Sequence, residues 1–538
     1  MGYTKTPMSV SNFNIVHAVH QHSLTHPDRL AVAAAGKELS YAQLAKGARN
    51  IAACVRQSAA WARQPNGQPA RIGVLASRSL DACLAVLGAA WSGASYVPIS
   101  LKLPEERLLM VLSLCNLSAL ITDKEGAKLL TDPVLAACPP LIVLPGAEPF
   151  QALDRHGIAF HDIDHLPDDG PRAPENVDAG DTAYIIFTSG STGVPKGVSI
   201  SAASIRYFSE MMPSQLNLRV SDRVLETCEL SFDVSAHNMF STWHAGASLH
   251  ILPAVRVMSA VKFCQDNALT VWNSVPSLIG RLMKIKATKP NVLPSLRLTV
   301  LSGEPLPKSY AAQWQVAAPN SAIENFYGPT EATIFTLHQA VSTPYPVTPG
   351  RDFISIGKPL PGTQAAIVDS EGTFVPPGTV GELALTGVQL STGYLNAPEL
   401  TQARFPMIQG KTYYLTGDLA MQDTAGIFHC LGRIDNQVKI RGHRVELEEI
   451  DAYLREATQA SLVTTVAWPL VDGNAQGIVS FIEAKSVDQQ TVITELKSKL
   501  PAYMVTDRVV ALERLPLNPS GKIDRKALLQ FLDNEKPA

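Results

Sequence analysis

Residues 184–198 read YIIFTSGSTGVPKGV. Glycines let backbone N–H groups close on an anion, the hydroxyls of Thr188, Ser189, Ser191 and Thr192 add donors, and Lys196 adds charge. That is the chemistry of a phosphate cradle, running through Gly190 and Gly193 to Lys196. The spacing is not G-x-x-x-x-G-K-[ST], so this is not a Walker loop. A flexible Ser/Gly surface turn shares the composition. It does not share the order of apolar run, hydroxyl-glycine loop and Pro195-Lys196-Gly197.

Other segments carry acids where acids need partners. Tyr327-Gly328-Pro329-Thr330-Glu331 offers a carboxylate that makes sense beside polyphosphate only with Mg2+ between them. Core packing of Tyr327 and a helix N-terminal acid at Glu331 are the plainer alternatives. Tyr414-Leu415-Thr416-Gly417-Asp418 ends a strand-like run in a short carboxylate able to accept both ribose hydroxyls, or to cap a turn. Leu230-Ser231-Phe232-Asp233-Val234-Ser235 sets one acid inside an apolar run. A buried carboxylate needs a partner, either an α-ammonium or the start of the next helix. Near the end, Asn518-Pro519-Ser520-Gly521-Lys522 forms a tight loop that can present one lysine.

These groups must be held by elements the sequence also outlines. Apolar runs alternate with helical patterns, as at 71–76 before 80–91 and at 119–122, which predicts α/β architecture with largely parallel sheets. Residues 134–181 are rich in Pro, Asp and Gly and read as a looped connection. Residues 368–378 read as strand, tight turn, strand. Strand-like runs at 427–431 and 437–440 flank Asp435, followed by a helix over 446–456, runs at 462–468 and 477–483, a helix at 491–499 and a strand at 508–512. The last part is a small α+β unit, giving domains of 1–434 and 435–538.

Composition narrows the classes. A chain of 538 residues exceeds one ordinary core. Its hydrophobic content of 46% is that of a globular protein, and its apolar runs are too short and interrupted to span a membrane. No secretory leader is apparent, and seven cysteines without C-x-x-C pairing point to a reducing, cytoplasmic setting. A net charge of −3 gives no reason to expect nucleic-acid binding.

The 184–198 string resembles the signature of the adenylate-forming superfamily, and further matches follow in order. They are Ser40-Tyr41 with Leu44, Tyr96-Val97-Pro98, PEERL at 104–108, NFYGPTEATI at 325–334, GELALTG at 381–387 and GYLNAPELTQARF at 393–405. YLTGDLA at 414–420, GRIDNQVKIRGHRVELEEID at 432–451, LPAYM at 500–504 and LPLNPSGKIDRKAL at 515–528 complete the set. Together they resemble the amino-acid-activating branch: adenylation domains of nonribosomal peptide synthetases and D-alanine–carrier protein ligases. The resemblance implies a large N-terminal domain of stacked α/β sheets with a small distorted barrel, and a small mobile C-terminal domain hinged at Asp435. It implies ATP and Mg2+ as cofactors, an amino acid as substrate, and a phosphopantetheinylated carrier protein as partner, in natural-product biosynthesis. A small MbtH-like activator is a further partner known in such relatives.

Carried over by motif, the ATP site comprises 188–193, Lys196, Gly303, Glu304, Asn325, Phe326, Tyr327, Gly328, Thr330, Asp418, Arg433 and Lys522, with Glu331 on the metal. Lys522, Thr188 and Glu331 are the catalytic assignments, and Thr330 is a contact to the α-phosphate. The amino-acid pocket carries over as Asp233, Val234, His237, Asn273, Val300, Ser302, Phe326, Ile334, Phe335 and Lys522. Two phenylalanines and several hydrogen-bonding groups imply a small neutral amino acid, with serine favoured over cysteine, threonine and alanine. Ser302-Gly303-Glu304 departs from the Cys-Gly-Glu usual in D-alanine ligases, which stand as the alternative. A carboxylate–CoA ligase is a second alternative, against which Asp233 argues. A catalytically dead binding protein on the same scaffold is a third.

Overall fold

The computed structural model describes residues 12–147, 156–190, 194–440, 442–460, 462–471, 474–518 and 523–535. Strands Arg71–Leu75 and Ala119–Thr122 are buried at every residue, as expected where helices cover both faces of a parallel sheet. They lie in an eight-stranded sheet with Ser95–Ile99, Thr182–Thr188 and Lys196–Ser201. A nine-stranded sheet holds Arg223–Glu226, Val271–Ser274, Leu298–Ser302 and Ala322–Tyr327 near its middle. Neighbours run parallel from Arg223–Glu226 through Ala322–Tyr327.

Side-chain alternation sorts each sheet into two faces. Val224 and Val271 of one sheet and Ile72, Tyr96 and Tyr184 of the other share one core with helices Tyr41–Arg56, Leu80–Trp91 and Ala202–Gln215. The alternate residues Leu225, Trp272 and Leu301 pack on helices Pro276–Lys284 and Lys308–Ala317. Val97, Leu120 and Ile142 pack on helix Glu105–Cys115. The layers therefore run α/β/α/β/α.

The region expected as a small barrel is a four-stranded antiparallel sheet of Thr363–Val368, Val380–Gly387, Tyr414–Gln422 and Phe428–Arg433. After Asp435, strands Gln437–Ile440 and His443–Glu446 form a hairpin. Strands Val463–Ala467, Ile478–Glu483 and Arg508–Leu512 form a separate sheet. Helices Leu447–Thr458, Gln489–Lys499 and Arg525–Asn534 cover these strands around cores built from residues after 435.

Two sequence expectations shift. The 134–181 stretch is not all loop: Leu141–Leu144 and Ala159–Asp162 extend the eight-stranded sheet. LIVL is a short run buried at each position, and its signal is diluted by the Pro and Asp around it. The helix expected from 446 begins at Leu447, because Glu446 still pairs with Gln437 in the hairpin.

Candidate active site

Ligand crevices in α/β folds form at the carboxyl ends of parallel strands. Here Thr188, Thr227, Asn273 and Ser302, at the ends of four strands, line one cleft of about 760 Å³. Gly442, His443, Arg444 and Tyr503 of the smaller domain close its other side.

On the anion side, Thr188 and Ser189 line the cleft, and Ser189 Oγ donates to the Arg444 carbonyl at 2.9 Å. Ser191, Thr192 and Gly193 lie outside the described residues. Lys196 does not line the cleft; burial lowers its amine's pKa, Glu446 opposes, and the charge of Arg444 adds to the lowering. Tyr327, Gly328 and Thr330 line it from the facing loop. A Cβ on Gly328 would stand 2.2 Å from the Ile334 carbonyl oxygen, so only glycine fits that turn.

The same loop carries stored strain. Thr333 and Ile334 are β-branched yet sit at φ 56° and 70°. Gln389 fixes them: its Nε2 donates to the carbonyls of Thr333 at 3.1 Å and Phe335 at 2.8 Å, while Thr333 Oγ1 donates to its carbonyl at 2.5 Å. This buried clamp directs Ile334 and Phe335 to the cleft wall.

Glu331 is 1% exposed. Arg444 Nη1 reaches both its oxygens, and Tyr394 donates its hydroxyl at 2.9 Å. Burial alone would raise the Glu331 pKa; the Arg444 charge and the Tyr394 and Tyr414 hydroxyls outweigh it and hold the carboxyl below its ordinary value. A lone carboxylate can bind Mg2+ when phosphates and water supply the other ligands. In this arrangement a guanidinium already occupies both oxygens, so Glu331 could hold a metal only with Arg444 withdrawn. No cluster of three or more metal-ligating side chains exists among the described residues.

On the ribose side, Asp418 takes the Tyr327 hydroxyl and lies 3.0 Å from Arg433 Nη1. Arg433 continues to Asp435 at 2.6 Å. Tyr327, Asp418, Arg433 and Asp435 are thus one polar chain leading to the start of the smaller domain.

Asp233 is 8% exposed and precedes the short helix Val234–Ala236 without a side-chain capping bond. Burial pushes its carboxyl up to about 6, against the lowering effect of the Thr330 hydroxyl. Val234, Asn273, Ser302, Ile334 and Phe335 line the cleft with it.

Several expected site residues stand behind the wall. His237 lies in the π-helical turn His237–Ser241, its ring 5.0 Å from Phe335 and 5.7 Å from Phe208. Its Nδ1 is 3.1 Å from Ser241 Oγ, and burial pushes its pKa down to about 3. The wider π turn changes which side chains face inward, and Asn238 lines the cleft in its place. Phe326 stacks behind Phe335 at 4.8 Å, and Val300 is buried in the strand Leu298–Ser302. Asn325 donates to the Ser355 carbonyl, and Glu304 accepts the Ser277 N–H at the head of helix Pro276–Lys284. Gly303 does reach the cleft; Lys522 lies outside the described residues.

Sequence reasoning missed Asn238, Arg444, the buried Glu226 and the Arg107–Glu449 pair. Glu226, at 4% exposure, was legible as an acid ending an apolar run; Arg107 and Glu449, 2.6 Å apart, are far apart in the chain.

The model of the family described as "AMP-binding enzyme" matches residues 19–395. The chain belongs to the AMP-binding enzyme family. D-alanine–D-alanyl carrier protein ligase of Lacticaseibacillus rhamnosus is 30% identical over 538 residues, covering 96% of this chain and 98% of the ligase. Tyrocidine synthase 3 of Brevibacillus parabrevis is 30% identical over 526 residues, but the chain spans only 8% of that synthase. The Vibrio cholerae adenylation domain AlmE, solved with glycyl-adenosine-5'-phosphate, superposes with a TM-score of 0.87 at 29% identity over 99% of this chain and 100% of that one. Among the described residues, no helix is long and apolar enough to cross a membrane.

Proposed function

We propose that this enzyme activates a small neutral amino acid with ATP and passes the aminoacyl group to the phosphopantetheine thiol of a separate carrier protein. The observation that carries this reading is Asp233: a buried carboxylate on the cleft wall that accepts from Thr330 and the Val234 N–H and feels the Lys439 charge, but makes no ion pair among those of the described residues. An α-ammonium supplies that pair.

In the first half-reaction the substrate carboxylate attacks the α-phosphorus. An O–P bond forms, and pyrophosphate leaves with the electrons of the broken bond. Asp233 holds the ammonium, Thr330 meets the α-phosphate, and Thr188 and Ser189 cradle the outer phosphates. Tyr327 faces adenine, and Asp418 with Arg433 takes the ribose hydroxyls. Glu331, once released by Arg444, would hold Mg2+, which would offset the phosphate charge. Lys522 bridges the carboxylate and the α-phosphate. In the second half-reaction a pantetheine thiolate attacks the acyl carbon; the C–S bond forms and AMP departs. The smaller domain turns at Asp435 between the two. Docking of Gly442–Arg444 against the cleft supports reading the present arrangement as the one for transfer.

Serine leads the substrate order, ahead of cysteine, threonine and alanine. ATP–pyrophosphate exchange across L- and D-amino acids tests this. A clear preference for an aromatic, basic or fatty acid substrate overturns the pocket assignment. The coverage of 98% of a D-alanine–carrier ligase favours D-alanine as a second reading, which the same panel decides.

A further inference from the structure

Loading a thiol requires that a proton be removed, a task the nucleotide site does not perform. An alkyl thiol is mostly protonated at neutral pH, and the thiolate is the nucleophile. Among the described residues, three carboxylates line the cleft, and each has other work. Asp418 accepts from Tyr327 and pairs with Arg433. Glu229 pairs with Lys102 at 2.5 Å. Asp233 accepts from Thr330 and, on the reading above, holds the ammonium. Burial, with the charge of Glu226, pushes the Cys228 thiol well up. His443 is the one imidazole on the lining.

His443 lies on the smaller domain and reaches the cleft because its hairpin is docked there. Its ring sits between two others. Tyr503 of its own domain stacks on it at 3.8 Å and 13°, and Phe232 of the larger domain meets it at 5.0 Å and 66°. Phe232 immediately precedes Asp233, so the imidazole touches the larger domain beside the residue that would hold the ammonium. The charged groups around this stack are Arg107, Glu449 and Glu229, which act on Tyr503, Asp233 beside Phe232, and Lys439 and Arg444 on the hairpin. Burial pushes the Tyr503 phenol up to about 12, with Arg107 opposing, so it stays neutral far above neutral pH.

We propose that His443 is the general base of the transfer step, taking the proton of the acceptor thiol as its sulfur attacks the acyl carbon. The inference rests on the carrier-loading reading above. The S–H bond breaks toward a ring nitrogen, the C–S bond forms, and the C–O bond to AMP breaks with its electron pair leaving on the phosphate. The imidazolium gives its proton to water once the hairpin withdraws. An imidazole has two ring nitrogens, so a partner at one orients the other. A base suited to neutral pH speeds such a proton transfer by roughly a hundred- to ten-thousandfold. Its place on the smaller domain separates the two steps: the base arrives with the arrangement that transfers.

The test follows single turnovers from enzyme-bound aminoacyl-adenylate, preformed with whichever amino acid supports pyrophosphate exchange, to free pantetheine in excess. His443→Phe, which keeps an aromatic ring in the stack, should slow transfer by roughly a hundredfold or more at about pH 7. The deficit should shrink to less than about tenfold by about pH 9.5, where the thiol ionises unaided. The neighbouring charged groups are common to both proteins, so the ratio of their rates isolates the base. His443→Gln, polar but unable to take a proton, should show the same pH-dependent deficit and keeps the test decisive if one variant misfolds. A deficit of equal size at both pH values means that the ring only packs the hairpin, and a full rate in both variants means that it plays no part; either result overturns the inference alone. Wild-type protein that forms no adenylate, or whose adenylate pantetheine does not discharge, overturns the reading beneath it.

Discussion

Arg444 Nη1 stands 3.1 Å from Oε2 and 3.2 Å from Oε1 of Glu331, joining the hairpin of the smaller domain to the strained loop of the larger one. Arg444 Nη1 lies where a cation bound to Glu331 would sit, and its carbonyl accepts the Ser189 hydroxyl of the anion loop. On the proposed reading, docking of the smaller domain and binding of a metal at Glu331 would compete. Arg444→Gln is expected to strengthen Mn2+ binding to the ATP-bound protein roughly five- to a hundredfold, read by electron paramagnetic resonance. Arg444→Lys should fall between. Equal Mn2+ affinity in all three proteins would remove the competition.

Asp233 sets binding against stability. Its folded pKa, about 6, lies above the ordinary 3.8, so its contribution to stability is full below about pH 4 and is lost as pH rises through 6. Asp233→Asn removes this dependence. The variant should be more stable than wild type at pH 8 by up to roughly 3 kcal/mol, the gap narrowing through pH 5 and closing near pH 4 in urea titrations. Its kcat/KM for the amino acid should fall on the order of a hundredfold or more, since the ammonium loses its counter-charge. Wild-type exchange should weaken as pH falls through 6. A variant no more stable at pH 8 than at pH 5, relative to wild type, would mean that Asp233 is solvated.

What the sequence disclosed follows from how local each signal is. Thr188, Asp233, Tyr327 and Asp418 sit in motifs whose chemistry is written within a few residues, and all four line the cleft. The strands at Arg71–Leu75, Gln437–Ile440 and Arg508–Leu512 were legible because each is a short apolar run between turn residues. His237 and Asn238 were not separable: a π turn changes the side-chain phase by tertiary packing, and regular helical spacing cannot anticipate it. Arg444 was in view as sequence, but its pairing with Glu331 spans the two domains. Glu304 and Asn325 follow cleft motifs closely, yet spend their polar atoms on Ser277 and Ser355.

Arg107 and Glu449 form another charged contact between the domains, at 6% and 0% side-chain exposure. Burial raises the Glu449 pKa, and Arg107 counters it. Arg107→Ala leaves that carboxyl without its cation, a loss of about 3–5 kcal/mol for a buried pair, which undocking relieves. Hydrogen exchange should therefore accelerate in helix Leu447–Thr458 and in the Gln437–Ile440 hairpin of the variant. The double variant Arg107→Leu/Glu449→Leu should restore most of the protection. Unchanged exchange in Arg107→Ala would show that the pair does not hold the domains together.

On the proposed reading, the two half-reactions need different groups around one carboxyl carbon, supplied in turn by the smaller domain. Gly442, at φ 86°, already packs near Val275 on the cleft wall: a Cβ there would lie 3.2 Å from a Val275 methyl. On the proposed reading, the Lys522 loop and the Gly442 hairpin take turns at the same side of the cleft. The proposed turn about Asp435, whose carboxylate is held by Arg433, would exchange them. Lys522→Ala is therefore expected to abolish adenylate formation while a supplied aminoacyl-adenylate still transfers to the carrier. Asp435→Pro fixes φ and removes the Arg433 partner, so adenylate should form and carrier loading should fail. Single-turnover assays with radiolabelled amino acid and a cognate carrier separate the steps. If both variants lose both steps to the same degree, one fixed arrangement serves the whole reaction and the domain does not alternate.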